Sequence, residues 1–306
     1  MINMRNLILL PMLSLMLQSC HSQDNYNYPI EYDLTNADTK LVLADELNEV
    51  SSIALSEDEK HIACITDEMG ILYIISPEDG SIQQRIDFHK DGDYEGIEII
   101  GKEIFIMKSS GTIYHIEDYM AEQPLEFTKY NTELSTTNDV EGLGYDPENK
   151  HLLMACKASP DLDTEISGKE QERAIYKFDL NSKKLITDSA IRIHRELFKE
   201  YIEKTPDHPA YKKWMKRFGE EAENFRFEPS AIAVQKSTGR TYMLSSVGKM
   251  LAVFEKDGRL HTLIKLNKSD FIQPEGICFD KAENLYICNE GKDKQAIVYK
   301  FNRKSN

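Results

Sequence analysis

The chain has 306 residues, 41% of them hydrophobic and 29% charged, which is enough to bury a large core and excludes disorder as the default state. A net charge of -15 and an isoelectric point near 5.1 exclude a nucleic-acid surface, which needs clustered Lys and Arg to displace counterions from phosphate. The same acidity favours cation binding wherever the acids converge.

At the N-terminus, Arg5 followed by an apolar run over residues 7–17, interrupted by Pro11, reads as an export signal too short to span a bilayer. The run ends in Leu17-Gln18-Ser19-Cys20, which resembles the lipobox of bacterial lipoproteins, where the cysteine is lipid-modified and becomes the mature N-terminus. On that reading residues 1–19 are a signal peptide and Cys20 carries the lipid. Residues 20–28 are then a polar tether, and the protein sits in the cell envelope on a bacterial membrane, facing the periplasm or the surface. An ordinary signal peptide with an incidental Cys20 is the alternative.

From residue 29 onward the chain is organised by a repeat. Asp93-Tyr94-Glu95-Gly96-Ile97 returns as Asp139-Val140-Glu141-Gly142-Leu143 and Gln273-Pro274-Glu275-Gly276-Ile277. Weaker copies, Glu49-Val50-Ser51-Ser52-Ile53 and Glu228-Pro229-Ser230-Ala231-Ile232, place serine where the others have glutamate. The Ser/Glu column falls at 51, 95, 141, 230 and 275, so the steps are 44, 46, 89 and 45 residues. A period in the forties with about four short strands per unit is the signature of a β-propeller blade.

The first unit shows the pattern: strands over residues 52–55, 62–66, 71–75 and 82–88, separated by Glu57-Asp58-Glu59 and Pro77-Glu78-Asp79-Gly80 turns. The last unit has three strands, so the lead-in strand around Leu41 is expected to supply the fourth and close the ring. The long step contains apolar residues at helical spacing, Leu197, Phe198, Tyr201 and Ile202, then Tyr211, Trp214, Met215 and Phe218. Two short helices inserted over about 194–225 account for the excess length. The expectation is therefore an all-β fold, a single propeller over residues 29–306 with five four-stranded blades; a sixth, degenerate blade is the alternative. Cys64, Cys156, Cys278 and Cys288 lie in strand-like runs and read as buried thiols, with a Cys278 to Cys288 bridge across one hairpin as the alternative.

The motifs, with Phe227-Glu228-Pro229-Ser230-Ala231-Ile232 and Asn284-Leu285-Tyr286-Ile287-Cys288-Asn289-Glu290 added, resemble the SdiA-regulated, YjiK-like family of exported bacterial β-propellers, from about residue 28 to the C-terminus. The resemblance implies the fold and the compartment, and no particular activity.

The first strand of each blade lines a propeller's channel, so the repeated acids gather at one end of it. Residues at i and i+2 of a strand share a side, which pairs Asp93 with Glu95 and Asp139 with Glu141. With Glu49, Glu228 and Glu275 they form an acidic ring suited to calcium, which takes six to eight oxygens in loose geometry. The competing reading makes each Glu-Gly pair a blade-packing device, with the carboxylate accepting backbone N–H bonds and glycine permitting close approach. At the ends of the second strands, Asp67, Lys108, Lys157, Ser245, Asn289 and Glu290 differ from blade to blade and are candidate ligand contacts. No Gly-x-Ser-x-Gly, His-Glu-x-x-His or phosphate-cradling loop occurs, and His61 and His151 fall at the end of the blades opposite the acids. The function expected is binding of a small molecule or protein at the acidic face, with a calcium-dependent lactone or phosphoester hydrolase as the alternative.

Overall fold

The computed structural model describes residues 26, 28–122, 124–162 and 171–304. The signal segment, Cys20 and most of the tether lie outside the described residues.

The chain enters through strand β1 (Thr39–Val42). Blade 1 follows as β2 (Val50–Leu55), β3 (Ile62–Thr66), β4 (Ile71–Ile75) and β5 (Ile82–Asp87); blade 2 as β6 (Tyr94–Ile100), β7 (Glu103–Lys108), β8 (Ile113–Ile116) and β9 (Thr128–Tyr130). Blade 3 is β10 (Val140–Asp146), β11 (His151–Cys156), β12 (Glu172–Asp179) and β13 (Lys184–His194). Helices α1 (Arg195–Glu203) and α2 (Tyr211–Phe218) intervene before blade 4, which is β14 (Ala231–Val234), β15 (Thr241–Ser245), β16 (Met250–Phe254) and β17 (Leu260–Lys265). Blade 5 takes β18 (Pro274–Phe279), β19 (Leu285–Asn289) and β20 (Ile297–Phe301) from the C-terminus and β1 from the N-terminus, in the order β1-β20-β19-β18. Every neighbouring pair is antiparallel. Each blade's first strand touches the first strands of both neighbours, and β18 touches β2, so the ring closes.

Closure explains the composition of the strands. A blade is covered on both faces by its neighbours, so its inner strands are almost wholly apolar: all five residues of β3, β4 and β16 are buried, Thr66 at the end of β3 being the polar exception. Alternate residues of one strand serve two different cores. In β3, Ile62 and Cys64 face blade 5 while Ala63 and Ile65 face blade 2. Cys278 stands opposite Tyr286, and Cys288 opposite Gly276, so these two do not bridge, and all four described cysteines are free.

The helical insertion packs against the ring. Phe198, Ile202, Trp214 and Phe218 are buried with Phe225 and Phe227 against Ile175 and Ile193 of blade 3 and Met250, Ala252 and Leu263 of blade 4. Burying such a side chain is worth about 1.5–3 kcal/mol, which is how two short helices hold their place without being autonomously stable. Among the described residues no helix is long and apolar enough to cross a membrane.

The closing strand yields a stability prediction. Leu41 is 3% exposed between blades 5 and 1, whereas its neighbour Val42 is 49% exposed. Urea unfolding of Leu41→Ala is expected to show a loss of about 2–5 kcal/mol, and of Val42→Ala a change within about 0.5 kcal/mol. Equal effects would show that the strand does not close the ring.

Candidate functional site: an acid-lined channel mouth

A β-bulge builds the site. Pairing between the first and second strands slips between Val50 and Ser52, Tyr94 and Gly96, Val140 and Gly142, and Pro274 and Gly276. The unpaired residue is Ser51, Glu95, Glu141 or Glu275, the member of the repeat column, and a bulge re-aims its side chain. The glycine that follows lies against the next blade: a Cβ on Gly276 would stand 2.6 Å from Cys288 Sγ and 2.9 Å from Ile53 N.

The serine and glutamate variants of the column do different work. Ser51 Oγ donates to Tyr94 O at 2.7 Å and Ser230 Oγ to Pro274 O at 2.8 Å, each tying its blade to the next. Glu95, Glu141 and Glu275 make no such bond to a neighbouring blade's carbonyl and instead line a cavity of about 450 Å³ at the mouth of the channel. Packing therefore belongs to the serines and glycines, and the glutamates are left to the cavity.

Glu49, Asp67, Asp93, Asp139 and Glu290 share the lining with them, against a single described base, Lys157. Lys157 donates to Glu141 and stands 3.7 Å from Asp139 Oδ2. Burial opposes its charge, but Glu141 and Asp139 outweigh burial and raise its pKa. Burial, then Glu141 and Asp93, pushes Glu95 up to about 10. Burial lifts Glu275 to about 8, with Glu141 and Glu290 adding to it, and Glu141 to about 7, where Lys157 holds it down. Asp67, Asp139 and Glu290 are also raised, burial first in each case. Asp139 adopts φ 50°, left-handed backbone that aspartate tolerates better than most residues.

The second-strand candidates divide by strand periodicity. Asp67, Lys157 and Glu290 occupy one register position and reach the cavity. Lys108, Ser245 and Asn289 sit one residue earlier and do not line it. Lys108 Nζ lies 4.9 Å from the centre of the Tyr94 ring, and Ser245 Oγ donates to Val247 O at 3.0 Å and accepts from Glu228 N at 3.1 Å. Asn289 is buried with its amide atoms unpartnered among the described residues. Glu228 itself does not line the cavity. Gln273 does, from the position that Asp93 and Asp139 hold in their own repeats, and it donates to Glu290; aligning the repeats is the signal that identifies it. Ser109 likewise donates to Asp93. His61 is engaged with Gln83 at 2.9 Å, away from the mouth.

As placed, no three His, Cys, Asp or Glu side chains among the described residues are gathered to clasp a metal ion. The carboxylates are spread round a cavity wider than a bare ion.

A family model described as SdiA-regulated matches residues 29–196 and 209–301. The chain belongs to the SdiA-regulated family. No curated protein matches it. Among solved structures it is similar to a glutaminyl cyclase from Myxococcus xanthus, at 10% identity over 87% of this chain and 94% of the other, with a TM-score of 0.54. It is also similar to a gluconolactonase from Xanthomonas campestris, at 12% identity over 82% and 72%, with a TM-score of 0.46. At such identity the first likeness extends to the fold and no further. The family match leaves out residues 197–208, most of α1 and the segment after it.

The raised carboxyls fix the sign of a pH dependence for the metal-free protein. The unfolded chain releases these protons near the ordinary 4.5, while the folded chain keeps them up to about 7 at Glu141 and about 8 at Glu275. Their contribution to stability is complete below 4.5 and lost as pH rises through the folded values. Between pH 6.5 and 8 the melting temperature is expected to fall, and Glu275→Gln to flatten the slope. An unchanged slope in that variant would show that Glu275 is not the source of the pH dependence.

Proposed function

We propose that the protein binds a cation-bearing ligand in the acid-lined mouth, acts as a binding protein, and is held at a membrane by lipid on Cys20. The observation that carries the first claim is the lining itself, eight carboxylates and one lysine around one half-open cavity. Removing that many acids from water leaves a deficit that the fold does not neutralise. A cation does so, and its arrival ionises carboxyls that burial holds protonated. The buried Asp67 Oδ1, without a hydrogen-bond partner among the described residues, offers a further donor atom. Calcium fits the chemistry of the set, all oxygen and loosely arranged. The width of the ring favours a hydrated or organic cation over a stripped ion.

Calorimetry at pH 7.5 with calcium, and separately with a linear polyamine, tests the reading. At least one is expected to bind with net proton release, seen as a heat that depends on the buffer's ionisation enthalpy, and Glu141→Gln combined with Glu275→Gln to weaken it about tenfold or more. Absence of heat from both, or full affinity in the double variant, would sink the proposal. For the anchor, Cys20→Ala is expected to move the protein from the membrane fraction to the soluble one; retention in the membrane would refute the lipid.

A further inference from the structure

The rim of blade 4, beside the acidic mouth, carries charge of the opposite sign. The turn joining β15 to β16 contributes Ser246 and Val247 to the lining of the mouth, and three cations converge on its backbone from three elements. Arg217, near the end of α2, donates from Nη2 to Val247 O at 2.9 Å and from Nε to Arg226 O at 2.9 Å. Lys249 Nζ donates to Ser246 O at 3.0 Å. Lys265, at the end of β17, donates to Gly248 O and, at 3.4 Å, to Lys249 O. The turn closes on the guanidinium: Gly248 has φ +94°, and a Cβ there would stand 2.6 Å from Arg217 Nη1.

All three side chains are half-buried, and among the described residues none forms a direct ion pair with a carboxylate; their hydrogen bonds go to carbonyl oxygens, Arg217 also lies 5.9 Å from the centre of the Phe218 ring, and the nearest acids, Glu228 for Arg217 and Glu275 and Glu290 for Lys249, act only at longer range. One cation suffices to tie down a four-residue turn. Three that repel one another do not improve the tie, and carbonyl oxygens satisfy hydrogen bonds without cancelling charge. Burial, with Arg217, Lys213, Lys249 and Lys268 around it, lowers Lys265 to about 8, which measures the same deficit. Donors on Lys249 and on Arg217 Nη1 remain unused by the turn. An acidic cavity and a cationic rim separated by one turn are a matched pair for a molecule that carries both charges.

We propose that the blade 4 rim is an oxyanion subsite, and that the ligand of the mouth is a zwitterion whose cationic group enters the acidic cavity while its phosphate or carboxylate rests on Arg217, Lys249 and Lys265. This deepens the cation-binding reading of the mouth and rests on it for the cationic half. The electrostatic coupling of Lys249 to Glu275 and Glu290 of the mouth links the two halves.

The test compares phosphoethanolamine, ethanolamine and inorganic phosphate by calorimetry on the full chain at pH 7.5. Phosphoethanolamine is expected to bind at least about tenfold more tightly than ethanolamine. Lys249→Asn combined with Lys265→Gln is expected to erase that advantage while ethanolamine still binds at least as tightly as to the parent protein, since the variant removes positive charge coupled to the mouth. Asparagine is chosen because Lys249 holds φ 53°. If ethanolamine and phosphoethanolamine bind equally, the rim proposal is overturned and the mouth reading stands. If inorganic phosphate binds in a lysine-dependent way but neither amine adds to it, the rim stands and the mouth reading falls. Phosphatidylethanolamine vesicles separate the sources: binding to vesicles that free phosphoethanolamine competes away assigns a lipid headgroup, and binding of the free compound alone assigns a soluble ligand. No lysine-dependent response to any probe would overturn the subsite.

Discussion

One extra residue in the first strand decides what this propeller can do. Without the bulge, the residue after Tyr94, Val140 or Pro274 would pair in the ladder and turn into an interblade core, where a carboxylate has no partner. With it, the ladder slips, glycine takes the place against the next blade, and the displaced side chain turns to the channel. The same local geometry accepts serine where a blade needs a strap and glutamate where the channel needs charge. Ser51 and Ser230 bond the next blade through carbonyls at equivalent positions, Tyr94 O and Pro274 O. Fold and site are two uses of one backbone feature.

That economy has an electrostatic cost. Glu95, Glu141 and Glu275 come from three different blades, and the ring brings them together whatever their charge. Lys157 relieves Glu141 and, more distantly, Asp139; Glu95, with Glu141 and Asp93 as its neighbours and no base in hydrogen-bond contact among the described residues, remains the most strongly raised. A propeller stabilised by five separate interblade cores tolerates such a mouth. Binding sites are where this kind of local conflict with stability is expected to persist.

Most of the architecture was legible because its causes are periodic. The repeat column, the turn chemistry and the missing fourth strand of the last unit together point to five blades and N-terminal closure, with the structure deciding against a sixth blade, and the helical spacing of Phe198, Ile202, Trp214 and Phe218 marks the insertion. The acids facing the channel were legible for the same reason. The second-strand contacts were legible only in part, because a period of two makes adjacent residues opposites. Asp67, Lys157 and Glu290 fall on the channel side, while Lys108, Ser245 and Asn289, one residue away, do not. The cationic rim was not legible at all: Arg217, Lys249 and Lys265 come from a helix, a turn and an edge strand, and no spacing along the chain joins them.

What joins them is the protection of an edge. β17 is the outermost strand of blade 4, and its free side would invite pairing with another chain. The insertion covers it: Tyr201 of α1 shares a hydrogen bond with Thr262 at 2.9 Å. The N-terminal approach covers it as well, with Pro29 O 2.8 Å from His261 Nε2 and Tyr26 stacked edge-on at 4.3 Å from His208. Residues 197–208 and residue 26, both outside the span of the family match, therefore meet on the same flank. A cover brought in to hide an edge also brings α2 against the turn of blade 4, where Arg217 and Lys265 are brought together and half-buried. The rim's cationic crowding follows from that closure, and it falls at the one edge of the acidic mouth where an opposite charge changes what the cavity can hold.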